Sequence, residues 1–197
     1  MNIKLFIFII IIVCLSIYIY FKMSNPDMTY IKSDIDGVYY LVRNVDDKQE
    51  AANTLAKMRT NLIKVSDYLY KNINDEKYKK YEKYINLLHE KINDIVITES
   101  TQDSIYTSYS VNKGEQIIFC IRTRKKYGIH DINLMMYVGL HEISHVACPI
   151  YDNHGPLFKE IFAFITNAAI DINIYKRIPF HEKSEEYCGM KINDSII

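Results

Sequence analysis

The first pattern along the chain is an unbroken apolar run. Leu5 to Phe21 carries no charged side chain and is bounded by Lys4 and Lys22. As a helix rising about 1.5 Å per residue it would be roughly 25 Å long, short for a bilayer but sufficient to cross one. A cleaved signal peptide would have a shorter apolar core and a small-x-small cleavage site, and the stretch from Ser16 to Phe21 offers none. Tyr18 and Tyr20 instead suit the aromatic belt at a membrane interface. Residues 1–23 therefore read as an uncleaved transmembrane anchor, held through residues 5–21, in preference to a signal peptide or a buried core helix. The amino terminus and Lys4 on one side balance Lys22 and Lys32 on the other, the latter pair diluted by Asp27, Asp34 and Asp36, so flanking charge assigns no orientation.

Beyond the anchor the period changes several times. Residues 24–45 read as a linker with a short strand, Val38 to Val42, after the turn signal Asp36-Gly37. Ala51, Leu55, Met58, Leu62, Val65 and Leu69 then recur at alternating steps of four and three, one apolar stripe of a helix. A second stripe, Tyr78, Tyr81, Ile85, Leu88 and Ile92, follows a break at residues 71–75, so residues 46–92 predict an antiparallel helical hairpin. Ile95 to Thr98, Tyr106 to Ser110 and Gln116 to Arg122 read as strands of a small, mostly antiparallel sheet, with residues 116–122 a candidate edge for pairing with an extended peptide. Two helices close the chain. Asp131 or Asn133 can cap one that runs to about Cys148, and Gly155-Pro156 opens another that reaches about Lys176. The pattern is that of one α+β domain over residues 46–197.

Composition narrows the function classes. The chain has 197 residues, 49% of them apolar, with 6 Gly and 4 Pro, which excludes disordered and collagen-like classes. Its 24 basic and 24 acidic residues cancel, so any nucleic-acid binding would need a local patch. Lys77, Lys79, Lys80 and Lys83 lie among tyrosines, as a single-strand binding surface would require, but Tyr78 and Tyr81 belong to the apolar stripe, so we read a solvated lysine face behind core tyrosines. Cys14 lies in the anchor, and Cys120, Cys148 and Cys188 form no Cys-x-x-Cys pair. Three reduced, partly buried thiols are expected in preference to a Cys148–Cys188 disulfide.

The penultimate helix carries His141-Glu142-Ile143-Ser144-His145. Side chains four apart lie one turn apart on a helix face, so two imidazoles can hold one Zn²⁺ while Glu142 between them acts as general base toward a water. A catalytic zinc takes a third protein ligand. The metzincin spacing would need Gly at Cys148 and His at Tyr151, and the thermolysin-like spacing would need Glu near Phe164 or Ile165. His154 is the surviving candidate, with Asp152 its rival. His89, His130 and His181 have no partner spacing and read as surface or capping residues, and Ser144 as a small packing residue.

His141-Glu142-x-x-His145, eight residues, then His154-Gly155-x-x-Phe158 resembles the zinc motif of the SprT-like and WLM-type metallopeptidases. Asp36-Gly37, Tyr40 to Asn44, Ser108 to Gly114 and Tyr187-Cys188-Gly189 are similar to WLM-type proteins encoded by large DNA viruses, which extends the resemblance over most of the chain after the anchor. It implies a zincin-like domain with one Zn²⁺ on His141, His145 and His154, Glu142 as the catalytic base, and Phe158 packed beneath the site. The expected activity is zinc-dependent hydrolysis of peptide bonds in protein substrates. Tyr187 is a speculative transition-state stabiliser, ranked below a packing role. Better-studied members of these families act on proteins crosslinked to DNA, so nucleic acid is a partner by resemblance only. A non-catalytic zinc-stabilised membrane scaffold is the competing expectation.

Overall fold

The computed structural model describes residues 3–24, 27–112, 114–123, 128–149 and 154–197. Helix α1 (Ile3–Ser24) contains an 18-residue window of mean hydropathy 2.7, apolar enough to cross a membrane, and none of that window is buried against the rest of the chain. The remainder is a mixed α+β fold with three small sheets.

Its centre is α2 (Lys48–Lys71), whose predicted stripe is buried along its whole length. Removing a Leu or Met side chain of this kind from water stabilises the fold by about 1.5–3 kcal/mol. The second stripe breaks into a single 3-10 turn over Lys79–Tyr81 and helix α3 (Glu82–Lys91), which together complete the expected hairpin. Tyr78 is buried and Tyr81 stacks on Phe164 with ring centroids 3.9 Å apart, so both rings pack inward while Lys77 and Lys80 lie over them.

On one flank of α2, β1 (Met28–Lys32) and β2 (Tyr39–Arg43) form an antiparallel hairpin with Tyr30 opposite Leu41 and Lys32 opposite Tyr39. Tyr40 and Val42 are buried on the side that faces the core. The second sheet joins β3 (Val96–Glu99), β4 (Ser108–Val111) and β5 (Gln116–Phe119) in the order β3-β5-β4. This departs from the predicted topology in two ways. β3 and β5 are parallel, and β5 is the central strand, so residues 116–119 are paired on both sides and offer no open edge. β4, which also packs against the helix that carries His141 and His145, has no strand partner on its outer edge among the described residues.

Helices α4 (Ile132–Ala147) and α5 (Pro156–Asp171) pack together, α4 also against α2, α3 and β4. Gly139 lets α2 and α4 approach closely, since a Cβ there would lie 3.3 Å from Leu62. α5 ends at Asp171, earlier than expected, with Asn173 in the left-handed region and residues 172–184 running on without regular structure to the hairpin β6 (Glu185–Tyr187) and β7 (Met190–Ile192). Two features lock the sheet end. The buried Arg122 guanidinium pairs with Glu99, Nε to Oε1 2.6 Å, and with Asp47 at the start of α2. Burial holds the Glu99 carboxyl above the ordinary carboxylate range even though the Arg43 amide and Arg122 pull it down.

The cysteine expectation is corrected here: Cys120 and Cys188 form a disulfide that ties the β6–β7 hairpin to the end of β5, and Cys148 is a buried cysteine outside it. Neither three reduced thiols nor a Cys148–Cys188 pair occurs. Sequence spacing could not reveal that partner, because 68 residues separate the two cysteines. His130, expected as a surface or capping residue, is buried against the same disulfide, and burial pushes its imidazole below the ordinary histidine range.

Candidate metal centre

Helix α4 begins where Asp131 accepts hydrogen bonds from the Asn133 and Leu134 amides, at 2.9 and 3.2 Å, which satisfies two donors of the first turn. From that start the apolar residues bury most of the helix and leave the His141 and His145 face half-open. α5 begins with Pro156 in its first turn, and the exposed His154 lies just before it. One ligand pair thus comes from inside a helix and the third from the entrance to the next.

The three Nε2 atoms form a near-equilateral triangle. They are 3.2 Å apart for His141–His145, 3.2 Å for His141–His154 and 3.1 Å for His145–His154. Three nitrogens about 2.0–2.1 Å from one ion at tetrahedral angles would stand about 3.3–3.4 Å apart, so the triangle has the size an ion requires. Hydrogen bonding does not account for it. A neutral imidazole Nε2 either donates or accepts, so among three such atoms at least one pair must meet proton to proton or lone pair to lone pair. Protonation is no remedy: burial first, then His145 and His154, push His141 down to about 3. His141, His145 and His154 form a group that can hold a metal ion.

Beneath the triangle, the Phe158 ring stacks on His145 at 4.2 Å and meets His141 and His154 edge-on at 5.0 and 4.9 Å. Glu142 is 4% exposed, and burial raises its carboxyl to about 7. Tyr187 is fully buried, its hydroxyl sharing a 2.6 Å hydrogen bond with Ser108. Burial and the nearby Glu142 charge hold its phenol well above the ordinary tyrosine range, against the pull of Ser108. The Tyr187 hydroxyl is thus tied to Ser108 and shielded from solvent, within electrostatic reach of Glu142. Asp152, the rival ligand, lies outside the described residues. Ser144 donates to the Leu140 carbonyl at 2.6 Å and is wholly buried.

Sequence reasoning missed one part of the site. A cavity of about 280 Å³ opens beside His141 and His154, with Tyr137, Phe158 and Phe162 as its aromatic lining and residues Asp194 to Ile196 along its rim. The Ile196 amide donates to the Tyr137 hydroxyl at 3.1 Å. Tyr137 stands one turn before His141 and Phe162 one turn after Phe158, so the aromatic lining was present in the spacing; the return of the last residues was not.

The fold and the imidazole triangle define a mixed α+β protein with an apolar N-terminal helix and a candidate metal centre. The chain matches no family model, and no solved structure matches it. It is 43% identical over 176 residues to the uncharacterized protein R325 of Acanthamoeba polyphaga mimivirus, a match that spans 89% of this chain and 88% of that one. The chain belongs to the family of that viral protein. A shorter match, 34% identical over 70 residues, joins it to the uncharacterized protein 136R of Invertebrate iridescent virus 6, covering 34% of this chain and 38% of the other.

Proposed function

We propose that this protein is a membrane-anchored zinc metallopeptidase of the zincin type, similar to the SprT-like and WLM-type enzymes, that hydrolyses peptide bonds of protein substrates. The observation that carries the reading is the convergence of three imidazole nitrogens within 3.2 Å of one another, two of them on the helix that also holds a buried carboxyl. All three donors are nitrogens and one of the imidazoles stays exposed, which suits zinc at a site that keeps a position open.

His141, His145 and His154 would hold the ion. Bound there, zinc would supply Lewis acidity, polarising a substrate carbonyl and lowering the pKa of water at the site. The proton transfers belong to Glu142. With its carboxyl at about 7 it is a base matched to neutral pH: an Oε accepts the proton of the attacking water and, as the acid, returns it to the amine nitrogen released when the C–N bond breaks. A peptide strand could align along the outer edge of β4, which has no strand partner among the described residues. Helix α1 would hold the domain at a membrane.

The test measures zinc in the purified full-length protein and peptide-bond cleavage in parallel. Wild type is expected to carry close to one zinc per chain, and His154→Ala to lose it. Glu142→Gln is expected to keep zinc and to lose at least about a hundredfold in cleavage rate. A wild type that holds zinc but cleaves nothing, with or without DNA, would instead establish a zinc-stabilised scaffold. A wild type without metal would remove both readings.

A further inference from the structure

Three residues, Asn25, Pro26 and Asp27, separate α1 from β1. Even a fully extended chain advances no more than about 3.6 Å per residue, so β1 begins within roughly 14 Å of the end of α1. The β1–β2 hairpin therefore starts next to whatever surface α1 enters. One face of that hairpin is covered by α2. The other is open: the register places Tyr30, Lys32, Tyr39 and Leu41 together on it. Tyr30 is 67% exposed and Tyr39 63%, and the face continues as a groove of about 330 Å³ over Val96, 55% exposed, and Val111. Ile35 and Val38, also exposed, add apolar surface beside the turn. Among the described residues, Glu115 is the only acidic side chain lining the groove.

Tyrosine rings with an apolar body and a polar hydroxyl are favoured at the headgroup level of a bilayer, and a lysine beside them can extend its charge toward lipid phosphates. We propose that the outer face of the β1–β2 hairpin, with Tyr30, Lys32, Tyr39 and Leu41, docks on the lipid interface of the membrane that α1 spans. The occupant is the bilayer itself, fixed by the length of the tether. The inference rests on the reading of α1 as a membrane anchor.

The chain contains no Trp, so a single Trp substitution gives one site-specific fluorophore. Full-length Ile11→Trp, Tyr39→Trp and Tyr70→Trp are reconstituted separately in vesicles of phosphatidylcholine and phosphatidylserine carrying bromine either near the glycerol or near the acyl-chain end. Ile11 is in the middle of α1, and Tyr70 is an exposed residue at the end of α2 remote from the hairpin. The expected result is deep-label quenching of Ile11→Trp, shallow-label quenching of Tyr39→Trp about threefold stronger than that of Tyr70→Trp, and a blue-shifted emission at Tyr39→Trp. If Ile11→Trp is quenched but Tyr39→Trp behaves like Tyr70→Trp, the anchor stands and the docking face is wrong. A blue shift at Tyr39→Trp without lipid quenching would assign the face to a second copy of the chain and overturn the proposal. An unquenched Ile11→Trp would overturn the anchor and the docking together.

Discussion

Glu142 and His141 are neighbours whose burial acts in opposite senses. The carboxyl is raised from 4.5 to about 7, so in the metal-free protein the folded state holds a proton that the unfolded chain has released, and this contribution to stability is lost as pH rises through 7. The imidazole is lowered from 6.5 to about 3, so its contribution is intact above 6.5 and is lost as pH falls toward 3. Above about pH 6.5 the slope therefore reports Glu142. With metal removed by a chelator, denaturant unfolding of the wild type should lose on the order of 1 kcal/mol between about pH 6.5 and about pH 8 relative to Glu142→Gln. Parallel pH profiles for the two proteins would show that the carboxyl is not desolvated as the structure indicates. Helical periodicity explains why a short motif could be recognised: residues four apart share a helix face, so His141 and His145 needed no tertiary information, whereas the burial of Glu142 and the approach of His154 depend on how the neighbouring elements pack.

At the level of elements, the turn between β4 and β5 is keyed to the metal-motif helix. Gly114 has φ +100, and a Cβ there would stand 2.8 Å from Val146 Cγ2. Gly114→Ala should therefore destabilise the protein by about 1–3 kcal/mol, measured by denaturant unfolding, and should loosen β4 against α4. A stability equal to wild type would mean that the turn can move away from Val146. Helices α2 and α5 were legible in the sequence because each buries one stripe, and α4, buried on most sides, through its cap Asp131 and the His141–His145 spacing; Pro156 marked the start of α5. The sheet was legible as segments but not as an order. Gln116 to Phe119 alternates half-buried and buried residues, a pattern compatible with either an edge or a central place, and pairing is decided by partners distant in the chain. Cys120 and Cys188 were hidden for the same reason: their proximity follows from the fold of the β6–β7 hairpin onto the end of β5.

Across the whole molecule, the disulfide and the apolar helix bear on each other. Disulfides form and persist in oxidising compartments and are rare where glutathione keeps thiols reduced. A chain that crosses a membrane once through α1 should thus place the domain on the oxidising side and its amino terminus on the other. The exposed Asn193 is a ready reporter, since Asn193-Asp194-Ser195 is an acceptor sequence for N-glycosylation. Translation with microsomes should yield a glycosidase-sensitive species that Asn193→Gln abolishes, together with a non-reducing mobility shift lost in Cys188→Ser. An unmodified chain with free Cys120 and Cys188 would put the domain on the reducing side. The order β3-β5-β4 has a kinetic meaning as well. The strand that arrives last in sequence must occupy the middle, so an early β3–β4 pair would be a trap that has to open before β5 can enter. All three imidazoles follow β5 in the sequence, so an ion bound there would join a chain whose three strands are already available to pair, as a finishing clasp rather than the seed around which the molecule forms.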